Sequence, residues 1–139
     1  MTKVKRKKPI PNRNKSPFGW WVASYIERFE PENENSENPN RRCLAWENTI
    51  IIKAKNREVA FSKAEKVGKL GNGIVSTVKG RKGVWRYEGL TSLLAIYEEL
   101  EDGAEILWNE HKNVSMKSVK SRVKNKDQLE TFDDGNDQS

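Results

Sequence analysis

The chain has 139 residues, a formal net charge of +6, and compositions of 35% hydrophobic and 33% charged residues. That length suits one domain with one core. A single cysteine and a single histidine exclude an internal disulfide, a multi-cysteine metal cage and a multi-histidine metal site.

The positive charge is concentrated at the ends. Residues 1–16 hold Lys3, Lys5, Arg6, Lys7, Lys8, Arg13 and Lys15 and no acid. Residues 112–126 hold Lys112, Lys117, Lys120, Arg122, Lys124 and Lys126, again without an acid, before a tail with Asp127, Glu130, Asp133, Asp134 and Asp137. The middle is slightly negative and contains all five tryptophans. The composition therefore predicts a disordered basic arm over 1–16, a single α+β domain over 17–111, and a basic then acidic tail over 112–139 with a weak helix at 114–124. No apolar run follows the charged start as in a secretory signal, and no segment approaches the ~20 apolar residues needed to span a bilayer. The expectation is a cytoplasmic protein with no membrane partner.

The first strand is expected over 18–29, where Trp21, Ala23, Tyr25 and Phe29 alternate with Trp20, Val22, Ser24 and Ile26. Both faces are partly apolar, which predicts cover on both sides. The stretch 30–40, rich in Asn and Glu with two prolines, reads as a loop. A second strand is expected over 42–55, with Leu44, Trp46, Ile50 and Ile52 on one face. Cys43 reads as a semi-buried small residue at its start.

Asn56 suits an N-cap, Glu58 the positive helix start, and Lys66 and Lys69 its negative end. Ala60, Ala64 and Val67 mark the buried stripe of a helix of about twelve residues, which Gly68 and Gly71 stop. A hairpin follows, with strands over 74–79 and 84–90 and a turn at Gly80-Arg81-Lys82-Gly83. Gly89 marks a bulge or bend, residues 93–100 read as a further strand, Asp102-Gly103 as a turn, and residues 105–110 as a final strand. The fold class is α+β: a small, mainly antiparallel sheet of about five strands on one main helix, in the order β-β-α-β-β-β, with charged tails.

Several of these segments carry a family resemblance. They are Gly19-Trp20-Trp21-Val22-Ala23, Trp46-Glu47-Asn48-Thr49-Ile50-Ile51-Ile52-Lys53-Ala54, the helix from Glu58 to Gly68, Trp85-Arg86-Tyr87-Glu88-Gly89-Leu90 and Leu100-Glu101-Asp102-Gly103-Ala104-Glu105-Ile106. Over about residues 19–110 the chain resembles an uncharacterised bacterial family, the domain of unknown function 4288. The resemblance implies a compact α+β module and brings no catalytic residues with it.

Catalytic patterns are sparse. His111 lies at the edge of the expected core, where a solvated strand-end histidine explains it better than a Ser-His-Asp arrangement. The glycines at 71, 73, 80 and 83 lack the Gly-Lys-Ser/Thr of a phosphate loop. Asp102 with Glu110-His111-Lys112 mimics a metal-dependent nuclease, since strand residues at i and i+2 share a face and could hold Mg²⁺ beside an ammonium. Chance placement of 15 Glu and 17 Lys already gives about two Glu-x-Lys matches. No cofactor is expected.

Trp20 and Trp21 are consecutive and point to opposite faces, so one of the two is a candidate anchor for a partner. The leading expectation is a non-enzymatic accessory module that contacts an unknown protein partner through its sheet. Its basic tails would attach to nucleic acid through Lys3, Lys5, Arg6, Lys7, Lys8, Arg13, Lys15, Lys117, Lys120, Arg122, Lys124 and Lys126. The alternative is a pure protein-binding role, of the immunity or inhibitor type. A nuclease using Asp102, Glu110 and Lys112 comes third.

Overall fold

The computed structural model describes residues 9–34 and 37–135. Its contacts divide into two units, parted between Trp108 and Asn109. The larger unit is the expected α+β domain. Four strands, β1 (Trp20–Pro31), β2 (Ala45–Lys53), β3 (Val75–Val78) and β4 (Arg81–Ala95), form one antiparallel sheet in the order β2-β1-β4-β3. The helix α1 (Arg57–Lys69) packs against β4, β2 and β1.

Period-two patterning sets the faces. On the helix side, Trp21, Ala23 and Ile52 are buried with Ala54, Ala60, Ala64 and Ala95, and Ile50, Val59, Leu90 and Leu93 pack around them. The Trp21 indole N–H donates to the Ala54 carbonyl at 3.0 Å, which satisfies the one polar atom that this ring carries into the core. Val22, on the opposite face, is also buried, as its apolar character on a two-faced strand implied.

Helix α1 begins at the expected cap: the Asn56 side chain accepts from the Val59 amide at 2.9 Å. Its end differs from expectation. Gly68 lies inside the helix and is buried, and the helix runs on to Lys69. The buried stripe is thus Ala60, Ala64 and Gly68, while Val67 is exposed. A Cβ at position 68 would press into the Tyr87 ring, 3.0 Å from Cδ2 and 3.1 Å from Cζ. Gly68 is therefore required by close packing, and not as the helix stop.

The β3–β4 turn is the two-residue Lys79-Gly80, with Val78 opposite Arg81 and φ values of 50° and 78°. Positive φ at both central residues is the type I′ geometry that matches strand twist. Residues 81–83 lie in β4, not in the turn; Gly83 is buried, and a side chain there would strike Phe29 and Pro31.

The pairing of β1 with β4 shifts register twice, leaving Thr91 and Glu88 unmatched on either side of Gly89. These bulges curl the sheet where a bulge was expected. Beyond them β4 continues unbroken to Ala95, so the strand expected at 93–100 is the end of β4. Residues 105–110 form no strand; Ile106, Leu107 and Trp108 instead line a cleft of about 230 Å³ with Leu94 to Glu98.

Contacts within the larger unit also include residues of the basic stretch before β1. Residues 12–14 form a 3₁₀ turn, Ser16 donates to the Ile96 carbonyl at 2.7 Å and accepts from the Trp20 amide at 2.9 Å, and the Tyr97 hydroxyl donates to the Arg13 carbonyl. Arg13 and Ser16 thus make hydrogen bonds within the larger unit. In the smaller unit, α2 (Met116–Ser121) is capped by Ser115 and lies within the helix expected at 114–124. It is followed by two 3₁₀ turns over 126–132. Among the described residues, no helix is long and apolar enough to cross a membrane.

Candidate functional site

The helix is too short for its sheet. Thirteen helical residues span about 20 Å, whereas the twelve residues of β1 span about 40 Å. Helix α1 therefore covers the end that carries Trp21 and Ala23, reaches Tyr87 at Gly68, and leaves the rest of the same face uncovered.

That uncovered end is aromatic. Phe29 and Trp85 meet edge to face at 5.4 Å, and Trp46 lies tilted against Trp85 at 4.7 Å. Phe29 and Trp85 are buried, but Trp46 is 50% exposed. Leu44, whose carbonyl bonds the Phe29 amide, and Ile74, whose carbonyl bonds the Trp85 amide, extend the exposed surface on either side. Trp46 thus offers a broad ring to solvent on a rigid aromatic bed, the arrangement of an interface anchor.

Beside it, Phe29, Leu44 and Val78 floor a cleft of about 310 Å³ whose rim carries Arg42, Lys79, Arg81 and Glu34. Glu34 links Arg41 to the hairpin by accepting from Arg81 and, at 2.9 Å, from Arg41. The Arg81 hydrogen bond, reinforced by the charges of Arg81 and Arg41, holds its carboxyl below the usual range. Cys43 is exposed on this rim and not semi-buried.

Where the helix ends, a second cluster forms. The Tyr87 hydroxyl donates to Glu65 at 2.5 Å, its ring lies 5.9 Å from Tyr25, and Asn48 donates to Glu27 at 3.0 Å. Desolvation, and then the Glu65 carboxylate, push the Tyr87 hydroxyl well above the ordinary tyrosine value. This hydrogen-bonded group lies between the helix end and the aromatic surface, with Glu27 directly opposite both Trp46 and Tyr87.

The expected site residues fall as follows. Trp20 and Trp21 do point apart: Trp21 is a core residue and cannot anchor a partner, while Trp20 is half-buried under the Lys53 ammonium, 4.9 Å from its ring. Sequence patterning placed Trp46 on the core face; only the reach of the helix reveals that it is exposed. Lys3, Lys5, Arg6, Lys7 and Lys8 lie outside the described residues, and Arg13 and Lys15 are exposed beside the first 3₁₀ turn.

In the smaller unit Lys117, Lys120 and Arg122 are exposed, whereas Lys124 pairs with Glu130 at 2.8 Å and Lys126 sits 5.0 Å over the Phe132 ring. Asp102 lies in a turn, and Glu110 and Lys112 lie on no strand, so the shared-face geometry of the nuclease pattern is lost. Among the described residues, no three of His, Cys, Asp and Glu gather in a way that could hold a metal ion.

The family model described as Domain of unknown function (DUF4288) matches residues 20–108, from the first residue of β1 to the last of the larger unit. No curated protein and no solved structure matches the chain.

Proposed function

We propose a non-enzymatic binding role for this chain, which belongs to the DUF4288 family: its sheet domain contacts a protein partner and its basic ends attach to nucleic acid or a nucleoprotein complex. The observation that carries the first half is Trp46, half-exposed and held against Trp85 at the end of the sheet that α1 leaves open. Large aromatic rings fixed by buried neighbours bind at low entropic cost, and the arginines around the adjacent cleft add polar contacts at its rim. Support for the second half is the clustering of charge outside the matched span. Phosphate neutralisation by such residues is sequence-independent and falls steeply with salt.

A purely protein-binding role is the second reading. It is favoured by the way Lys124 and Lys126 are occupied within their own unit, which lowers the charge available to phosphates.

One experiment separates them. Binding of the full chain to duplex and single-stranded DNA and RNA is measured against salt, beside a variant with Lys3, Lys5, Arg6, Lys7 and Lys8 changed to Gln. The first reading expects the logarithmic salt slope to fall by about 0.7 to 0.9 per phosphate contact removed. Absence of binding at low salt, or an unchanged slope, leaves the protein-binding reading alone. For that half, Trp46→Ala must weaken capture of a partner from host extract without altering nucleic-acid affinity.

A further inference from the structure

On one side the sheet ends in the nine residues of β2, Ala45–Lys53, which among the described residues pair with β1 alone, whereas β3 contributes four residues to the other side. Which backbone groups face outward follows from the ladder. The Ala54 amide bonds the Gly19 carbonyl at 2.8 Å, and the Phe29 amide bonds the Leu44 carbonyl at 2.9 Å. Because bonded and non-bonded pairs alternate in an antiparallel ladder, residues 46, 48, 50 and 52 are the ones that bond to β1. Ala45, Glu47, Thr49, Ile51 and Lys53 therefore turn their N–H and C=O groups away from the sheet. The Lys53 carbonyl accepts from the Lys63 ammonium at 2.5 Å, which uses one of its lone pairs.

The side chains of these residues are self-complementary. Glu47, Thr49, Ile51 and Lys53 share the face opposite α1. A second strand run antiparallel about a two-fold axis at Ile50 sets Glu47 against Lys53 of the other copy and Thr49 against Ile51. Both resulting ion pairs lie on one face, and two β-branched pairs lie between them. The Ile51 side chain, 49% exposed in the monomer, is covered by this pairing. Lys53 already donates to the Phe18 carbonyl at 2.6 Å, and an ammonium keeps two further N–H groups for a carboxylate. Glu47 is exposed.

We propose that the β2 edge pairs with β2 of a second copy of this chain, antiparallel and centred on Ile50, joining two four-stranded sheets into one through about eight backbone hydrogen bonds. The paired segment runs from Glu47 to Lys53 and is flanked by Trp46; its readout is association of the chain with itself, which is separate from the partner and nucleic-acid binding that test the proposed function.

Sedimentation of the full chain from about 1 µM to about 1 mM at physiological salt reads the association. Glu47→Lys places Lys against Lys, and Lys53→Glu places Glu against Glu, so each variant alone should associate at least about tenfold more weakly than the wild type. Mixing the two restores both opposite-charge pairs, and a heterodimer of wild-type strength is expected. In Ile51→Pro the lost amide hydrogen faces outward, so circular dichroism should show the sheet intact while association is lost. A monomer throughout the range overturns the proposal. So does association that survives both Ile51→Pro and the charge reversals, or two folded single variants that fail to associate when mixed.

Discussion

Gly68→Ala separates a glycine needed for packing from one needed for conformation. In an exposed helix interior this change stabilises by about 1 kcal/mol through propensity alone. Here the new methyl would sit 3.0 Å from Tyr87 Cδ2 and 3.1 Å from Cζ, and closer still to Cε2, against the 3.5 to 4.0 Å of an ordinary carbon contact. The ring is not free to swing: its hydroxyl is bonded to Glu65, its backbone amide to Asn72 at 3.0 Å, and Tyr25 lies beside it. Either the helix lifts or the Tyr87–Glu65 bond breaks. Overpacking of this kind costs about 3 kcal/mol, so the net loss after the propensity gain is about 2 kcal/mol. Urea unfolding of the full chain, followed by tryptophan fluorescence, should show a lower midpoint with an unchanged slope. For a domain of this size the melting temperature should fall by about 8 to 16 °C. In Tyr87→Ala the same Gly68→Ala change should stabilise, giving a coupling of opposite sign. A neutral or stabilising Gly68→Ala in the wild-type background refutes the packing argument.

Three further outcomes are expected. Asn56→Ala removes the bond to the Val59 amide and should cost about 1 kcal/mol in urea unfolding, with Asn56→Asp recovering most of it. Trp21→Phe leaves the Ala54 carbonyl without its 3.0 Å partner and opens space in the core, and should cost about 2 to 3 kcal/mol by the same measurement. Tyr87 is raised in the folded state, so its stabilisation is complete below the ordinary tyrosine value near pH 10 and is lost as pH climbs above it. Unfolding midpoints measured from about pH 8 to about pH 11.5 should therefore decline less steeply in Tyr87→Phe than in the wild type. A parallel decline in both removes the coupling between this hydroxyl and folding.

Much of the domain can be read from the residues because its local signals agree with its tertiary contacts. The alternation of Trp21, Ala23, Tyr25 and Phe29, the β-branched run at Ile50 to Ile52 and the Asn56 cap each favour the element that forms. Glycine was the recurrent difficulty. Gly68 and Gly83 look like punctuation, yet both are buried in regular elements where a neighbouring side chain or backbone occupies the space of a Cβ. Such a requirement lies between distant segments and leaves no local mark.

Likewise, Ser16 reads as part of a charged arm until Ile96, eighty positions away, is seen to accept its hydrogen bond. The candidate site was half legible. Alternation assigns Trp46 to the correct face, but its exposure depends on where a 13-residue helix runs out over a longer sheet. The partners of Lys124 and Lys126, the Glu130 carboxylate and the Phe132 ring, leave no mark for the same reason, since counting charges does not show which are already occupied.

The strand order β2-β1-β4-β3 has a consequence for how the molecule is made. The first strand synthesised is a central one, and it stays half-paired until the last arrives: Trp21 finds Ala95 opposite only after the whole helix and hairpin have emerged. Closure of the sheet thus depends on contacts some seventy residues apart in sequence, a high contact order that places folding in the slower class of small domains. During translation β1 and β2 can form a two-stranded ribbon with one flank bare. The bare edge of β1, with Trp20, Trp21 and Val22 on its two faces, is the segment a chaperone or a misfolded neighbour meets first.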